Sequence, residues 1–167
     1  MNLNIPKQNI DALRIIVERF KGKYLNWTLT GSMSLAIQGV DVKAGDIDIL
    51  TDVENADKIS DILKEYTIEP MHYKTSSQFK SYYGLFKIND VQVEVIADLE
   101  RIYNNEWIKA ERPRIKLIKR FEDMTLPLLE LQEEYNAYVN MNRLEKANKI
   151  LETIEKDSAS SRRSRAS

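Results

Sequence analysis

The chain has no cysteine and a single histidine, His72, in 167 residues. The first absence excludes disulfides, thiolate metal sites and cysteine nucleophiles together. The second leaves too few imidazoles for a histidine-based zinc site or a Ser-His-Asp triad. Long apolar runs are missing as well. None approaches the roughly 20 residues that a bilayer-spanning helix needs, so no membrane crossing is expected. The opening MNLNIPKQNI has neither a basic region nor an apolar core, so no secretory leader is expected and the expected compartment is the cytoplasm. Any chemistry therefore falls to carboxylates, hydroxyls, amines and backbone groups.

What is present fits one globular unit: the length suits a single domain, and 43% of the residues are apolar. Net charge is −1, but the final SASSRRSRAS carries three arginines and no acid, leaving −4 on residues 1–157. A mildly acidic body gives no reason to expect a broad nucleic-acid face. The Ser/Arg end has nothing large and apolar to bury and reads as a disordered tail over 158–167. An RNA-contacting arm is the second reading of that tail.

Apolar residues Ile10, Leu13, Ile16, Val17 and Phe20 recur at helical steps within 7–21, after Pro6 and before Gly22. Trp27–Thr30 is β-prone and stops at Gly31-Ser32; MSLAIQG is helix-like and closes at Gly39. GDIDILTD alternates acid and isoleucine with period two, which predicts a strand. Residues 55–66 predict a helix that buries Ile59, Ile62 and Leu63. YYGLFKI and VQVEVIAD flank Asn89-Asp90 and predict a hairpin. Residues 128–155 predict one or two C-terminal helices. Mixed helices and strands with an antiparallel hairpin place the chain in the α+β class.

The chemistry concentrates between Trp27 and Asp52. Asp46 and Asp48 are two apart on the predicted strand, so both carboxylates share one face while Ile47 and Ile49 take the other. Like charges held close together call for a cation, and hard oxygen donors on a rigid strand suit Mg²⁺. A lone D-x-D more often marks a solvated face. Here Gly31-Ser32 lies upstream on a strand-to-helix turn, where free amides and a hydroxyl can take phosphate. In VQVEVIAD the valines share one face and leave Glu94 opposite them, a third acid if this strand neighbours the Asp pair. Asp98 competes for that place but falls where the strand should end.

Gly31-Ser32, Asp46-Ile47-Asp48 and Glu94, over residues 24–100, resemble the nucleotidyltransferase superfamily with the DNA polymerase β fold. G-S-M-S-L-A-I-Q-G-V followed by D-I-D-I-L is most similar to its small branch, which holds lincosamide and aminoglycoside nucleotidyltransferases and abortive-infection toxin transferases. Many members carry Arg and Ser or Thr just before the Asp pair; this chain has Lys43, Ala44 and Gly45, which leaves Lys43 as the stand-in cation. The resemblance implies a polymerase β-like core with a short mixed sheet flanked by helices over 1–125. It also implies a C-terminal helical extension packed on that core over 126–157. The implied reaction moves a nucleoside monophosphate from an NTP, ATP by default, to an acceptor hydroxyl. Two Mg²⁺ (or Mn²⁺) ions would sit on Asp46, Asp48 and Glu94, with Gly31, Ser32 and Lys43 on the nucleotide. The resemblance leaves the acceptor open, RNA included, and equally a homodimer or a protein partner. The rival expectation is a non-catalytic domain of the same fold that binds a nucleotide or a partner.

Other groups have plainer readings. His72, in PMHYK, fits a loop or a partly packed position. Lys74, Lys80 and Lys87 among Tyr73, Phe79, Tyr82 and Tyr83 fit a tyrosine-rich hairpin better than a base-stacking surface. Arg112, Arg114, Lys116, Lys119 and Arg120 fit a solvated strand better than a phosphate track. Arg143 and Lys146, on the expected last helices, could reach a nucleotide, but nothing local requires it.

Overall fold

Pro6 precedes the first helix, α1 (Lys7–Phe20), whose buried face is Asn9, Ala12, Leu13, Ile16 and Phe20; the chain then turns at Gly22 with φ +74°. The computed structural model describes residues 4–110 and 116–166. After α1 come β1 (Trp27–Thr30), α2 (Gly31–Ile37), β2 (Ile47–Thr51) and α3 (Val53–Ile62), then a 3₁₀ turn at Lys64–Tyr66. β3 (Thr67–Thr75), β4 (Phe79–Ile88), β5 (Val91–Tyr103) and β6 (Glu106–Lys109) follow. The chain ends with β7 (Lys116–Phe121), β8 (Met124–Leu129), α4 (Leu131–Asn140) and α5 (Leu144–Ala166).

The strands form one mixed sheet of eight, in the order β3-β4-β5-β2-β1-β8-β7, with β6 paired to the far end of β5. β2 runs parallel to β5 and β1 parallel to β8; the remaining pairs are antiparallel. The β4–β5 hairpin turns at Asn89-Asp90, whose φ values of 49° and 63° are those a two-residue hairpin loop of this twist demands. Ile88 pairs with Val91, and the register carries Val93 and Val95 into a core where Leu29, Ile47 and Ile49 are also fully buried.

Several boundaries differ from the sequence reading, each for a local reason. α3 begins at Val53 rather than 55, because Asp52 caps it by accepting from the Asn55 amide. The expected division at 125/126 falls inside β8, which is hydrogen-bonded to β7 and β1 and so belongs to the sheet. The tail over 158–166 is helical where disorder was expected: α5 propagates through it, one hydrogen bond per added residue, with Ser158–Arg163 exposed. PMHYK lies in strand β3, where His72 Nε2 pairs with Glu69 Oε1 at 2.8 Å. Arg112 and Arg114 lie outside the described residues. Lys116 and Lys119 of the same basic run donate to the Trp27 and Ile37 carbonyls and so brace the sheet. Among the described residues no helix is long and apolar enough to cross a membrane.

Candidate active site

Strand register builds the site. Thr30 ends β1 opposite Asp48 of β2, and Asp48 lies opposite Glu94 of β5. One row across three neighbouring strands therefore carries a hydroxyl and two carboxylates, while Ile47, Ile49, Val93 and Val95 occupy the other face. Asp46 stands just ahead of β2 rather than within it, exposed at the mouth of the row.

The row is crowded with negative charge. Burial pushes the Asp48 carboxyl well above its ordinary range, and hydrogen bonding to Glu94 and the charges of Glu94, Asp46 and Glu134 add to the shift. Asp46, exposed as a residue but with its carboxyl partly withdrawn from water, is raised too, first by that desolvation and then by the Glu94 charge. Asp48 Oδ1 is shut off from solvent and has no hydrogen-bond partner among the described residues. A buried, unsatisfied carboxylate oxygen beside a second acid is costly unless a cation completes it. The donors are all hard oxygens, which suits Mg²⁺ or Mn²⁺. Among the described residues no three His, Asp or Glu side chains already close around a single point.

Supporting groups hold the two strand acids. Tyr83 of β4 donates its hydroxyl to Glu94 Oε1 at 2.8 Å; burial and that bond raise the phenol, so it stays a donor at any physiological pH. Lys74 lies over the Tyr83 ring, 4.5 Å from its centroid. Asp98, the competitor for the third place, sits within a register shift with φ +51° and pairs with Lys109 at 3.5 Å, so the position in the row belongs to Glu94.

Gly31 and Ser32 stand at the turn into α2, each with a contact to the acidic row or its loop. Gly31 has φ +73°, and a Cβ there would overlap Asp48 Oδ2, so only glycine lets the turn lie against the carboxylate. Its N–H is already engaged, donating to Glu134 Oε1 of α4 at 3.0 Å; the Thr30 hydroxyl donates to the same oxygen. Ser32 Oγ accepts from the Gly45 amide at 2.9 Å, and buried Asn9 donates to the Gly45 carbonyl at 2.6 Å. Those two bonds fix the loop that delivers Asp46. Lys43, on the same loop, is exposed.

Val42 and Lys43 also line a cleft of about 560 Å³ whose other wall is the α4–α5 junction, with Asn142, Arg143, Lys146 and Lys149. Burial lowers the Lys146 ammonium and the Arg143 charge adds to that, while the charges of Asp48 and Glu134 pull the other way. The cleft therefore carries four cations, one of which feels the Asp48 and Glu134 charges, a lining suited to an anionic ligand.

Sequence reasoning missed the site roles of Glu134 and Tyr83, and gave Arg143 and Lys146 no firm place. Glu134 was detectable: with Leu131 and Tyr138 it falls on the three-to-four spacing of the apolar face of α4, an acid where burial was due. Tyr83 had no such signal, because its partner depends on β4–β5 register.

A sequence model of aminoglycoside-2″-adenylyltransferases matches residues 12–151. Among solved structures, a Thermotoga maritima protein assigned as a nucleotidyltransferase is 31% identical, covering 91% of this chain and 96% of its own, with a TM-score of 0.78. ANT(2″)-Ia with adenylyl-2″-tobramycin is 13% identical, covers 95% and 98%, and has a TM-score of 0.56. The solution structure of the same enzyme gives 0.60 at 13% identity, covering 99% and 95%; these two show shared fold alone. No curated protein gives a significant match.

Proposed function

Because the chain belongs to the aminoglycoside-2″-adenylyltransferase family, we propose that it moves a nucleoside monophosphate from an NTP, ATP in the first instance, onto an acceptor hydroxyl. The observation that carries this reading is the buried Asp48 Oδ1, which has no hydrogen-bond partner among the described residues and stands in register with Glu94. Asp46, Asp48 and Glu94 would hold the divalent metal, which supplies charge neutralisation at the reacting phosphate and at the attacking oxygen.

The chain's own groups account for the rest. Lys43, Arg143, Lys146 and Lys149 bind the triphosphate as a cluster of charges, and so set the α-phosphorus against the carboxylate row. The acceptor oxygen bonds to that phosphorus, the bond to the β-phosphate bridging oxygen breaks, and pyrophosphate leaves with the electron pair. The hydroxyl proton passes to the Glu94 oxygen that Tyr83 does not hold. Tyr83 keeps Glu94 in one orientation during that transfer. Gly31 lets the turn pack on Asp48, and Ser32 keeps the Asp46 loop in place.

The test is incubation with each NTP and Mg²⁺ or Mn²⁺ plus a panel of hydroxyl acceptors, aminoglycosides and RNA included, following pyrophosphate release. Metal-dependent release with at least one acceptor is the expected result. Nucleotide binding without release for any acceptor would favour the non-catalytic reading.

A further inference from the structure

Glu134 is 2% exposed, on a helix that follows the sheet by two residues and lies more than eighty residues from the Asp pair in sequence. A carboxylate that deep needs partners, and it has two: the Thr30 hydroxyl and the Gly31 N–H both donate to Oε1. Burial raises Glu134, to about 7, while the two hydrogen bonds and then the Arg101 charge act in the opposite sense. Thr30 is the cross-strand partner of Asp48, and Gly31 is the residue whose missing Cβ gives Asp48 Oδ2 its room. Both residues that form the wall behind Asp48 are therefore tied to one side chain of α4.

We infer that Glu134 is a positioning residue: by accepting from Thr30 and Gly31 it fixes the β1–α2 turn against Asp48, so that docking of α4 sets the geometry of the carboxylate row. The inference rests on the metal-site reading given above. It assigns α4 a part in the active site, where the sequence suggested only an extension packed alongside. The two hydrogen bonds are what matter, since a second negative charge near Asp48 by itself disfavours the ionised ligand. Glutamine, which keeps an acceptor oxygen of the same reach without the charge, should then serve; alanine should not.

The experiment compares wild type, Glu134→Gln and Glu134→Ala at a temperature where melting curves show all three folded. Two quantities are read: hydrogen exchange at the Gly31 amide in metal-free protein, and Mn²⁺ affinity by calorimetric titration without turnover. Glu134→Ala should speed Gly31 exchange and weaken Mn²⁺ binding about tenfold each, and Glu134→Gln should stay within about threefold of wild type on both. Faster exchange in Glu134→Ala with unchanged Mn²⁺ affinity would reduce Glu134 to a structural bond and overturn the inference alone. Loss in Glu134→Gln equal to that in Glu134→Ala would make charge, not acceptance, the active property and would likewise overturn it. Wild-type protein that takes up no Mn²⁺ would overturn the metal reading itself, and the inference with it.

Discussion

The two faces of strands β2 and β5 use the same backbone for opposite ends. On one face Ile47, Ile49, Val93 and Val95 are fully buried and satisfied by contact alone. On the other, Asp48 and Glu94 stand side by side, with one Asp48 oxygen buried and, among the described residues, unpartnered. The apolar face stabilises the fold, whereas the acidic face costs stability until a ligand completes it. Alternation along a strand keeps the two separate, so a substitution on one face should leave the other's property nearly intact.

The sharpest way to break that comparison is Asp48→Asn. Activity should fall by at least about a hundredfold to a thousandfold, the scale seen when one charge-stabilising group leaves a site. The metal-free protein should nevertheless melt higher by about 2–4 °C for each kcal/mol of repulsion removed, as checked by scanning calorimetry. Ile49→Ala is the mirror case. It should cost about 2–5 kcal/mol of stability through lost burial and a cavity, yet turnover per folded molecule should be unchanged.

Tyr83→Phe comes next. Losing a hydrogen bond to a charged acceptor is worth about 1.5–3 kcal/mol at most, so activity should drop roughly tenfold, with a poorer half-saturation for Mn²⁺ in the kinetic assay. A pH series on Glu134→Gln gives a smaller effect. Glu134 is raised from an ordinary 4.5 to about 7 in the fold, so its protonated form is the favoured one there. Its contribution is complete below 4.5 and is lost as pH rises through about 7. The melting difference between metal-free wild type and Glu134→Gln should therefore move against wild type across that window and be flat above it. The smallest effect is expected on deleting 158–167: Ser158–Arg163 are exposed and contribute little burial, and melting temperature should shift by no more than about 1 °C.

The apolar face was legible from sequence because period two and period 3.6 report burial directly. α1, β2 and the β4–β5 hairpin with its Asn89-Asp90 turn were readable in this way. Asp48 and Glu94 were legible for the same reason, as acids out of phase with the apolar residues around them. Pairings across large sequence distances were not. Glu134 reaches Gly31 over 103 positions, and Tyr83 meets Glu94 only through β4–β5 register. The role of Gly31 was half read: its position at the turn was visible, but its contact with Asp48 depends on how β1 pairs with β2. The helical end of α5 went unread because exposed Ser and Arg carry no burial signal in either direction.

The claim that joins these observations is that the acidic face is a cation site and the apolar face is not part of it. Calorimetric titration of Mn²⁺ into wild type, Asp48→Asn and Ile49→Ala, each below its melting transition and with a non-hydrolysable ATP analogue present, tests it most directly. The account predicts binding to wild type and to Ile49→Ala with similar affinity, and none or at least about a hundredfold weaker binding to Asp48→Asn. Equal binding to wild type and Asp48→Asn would contradict it.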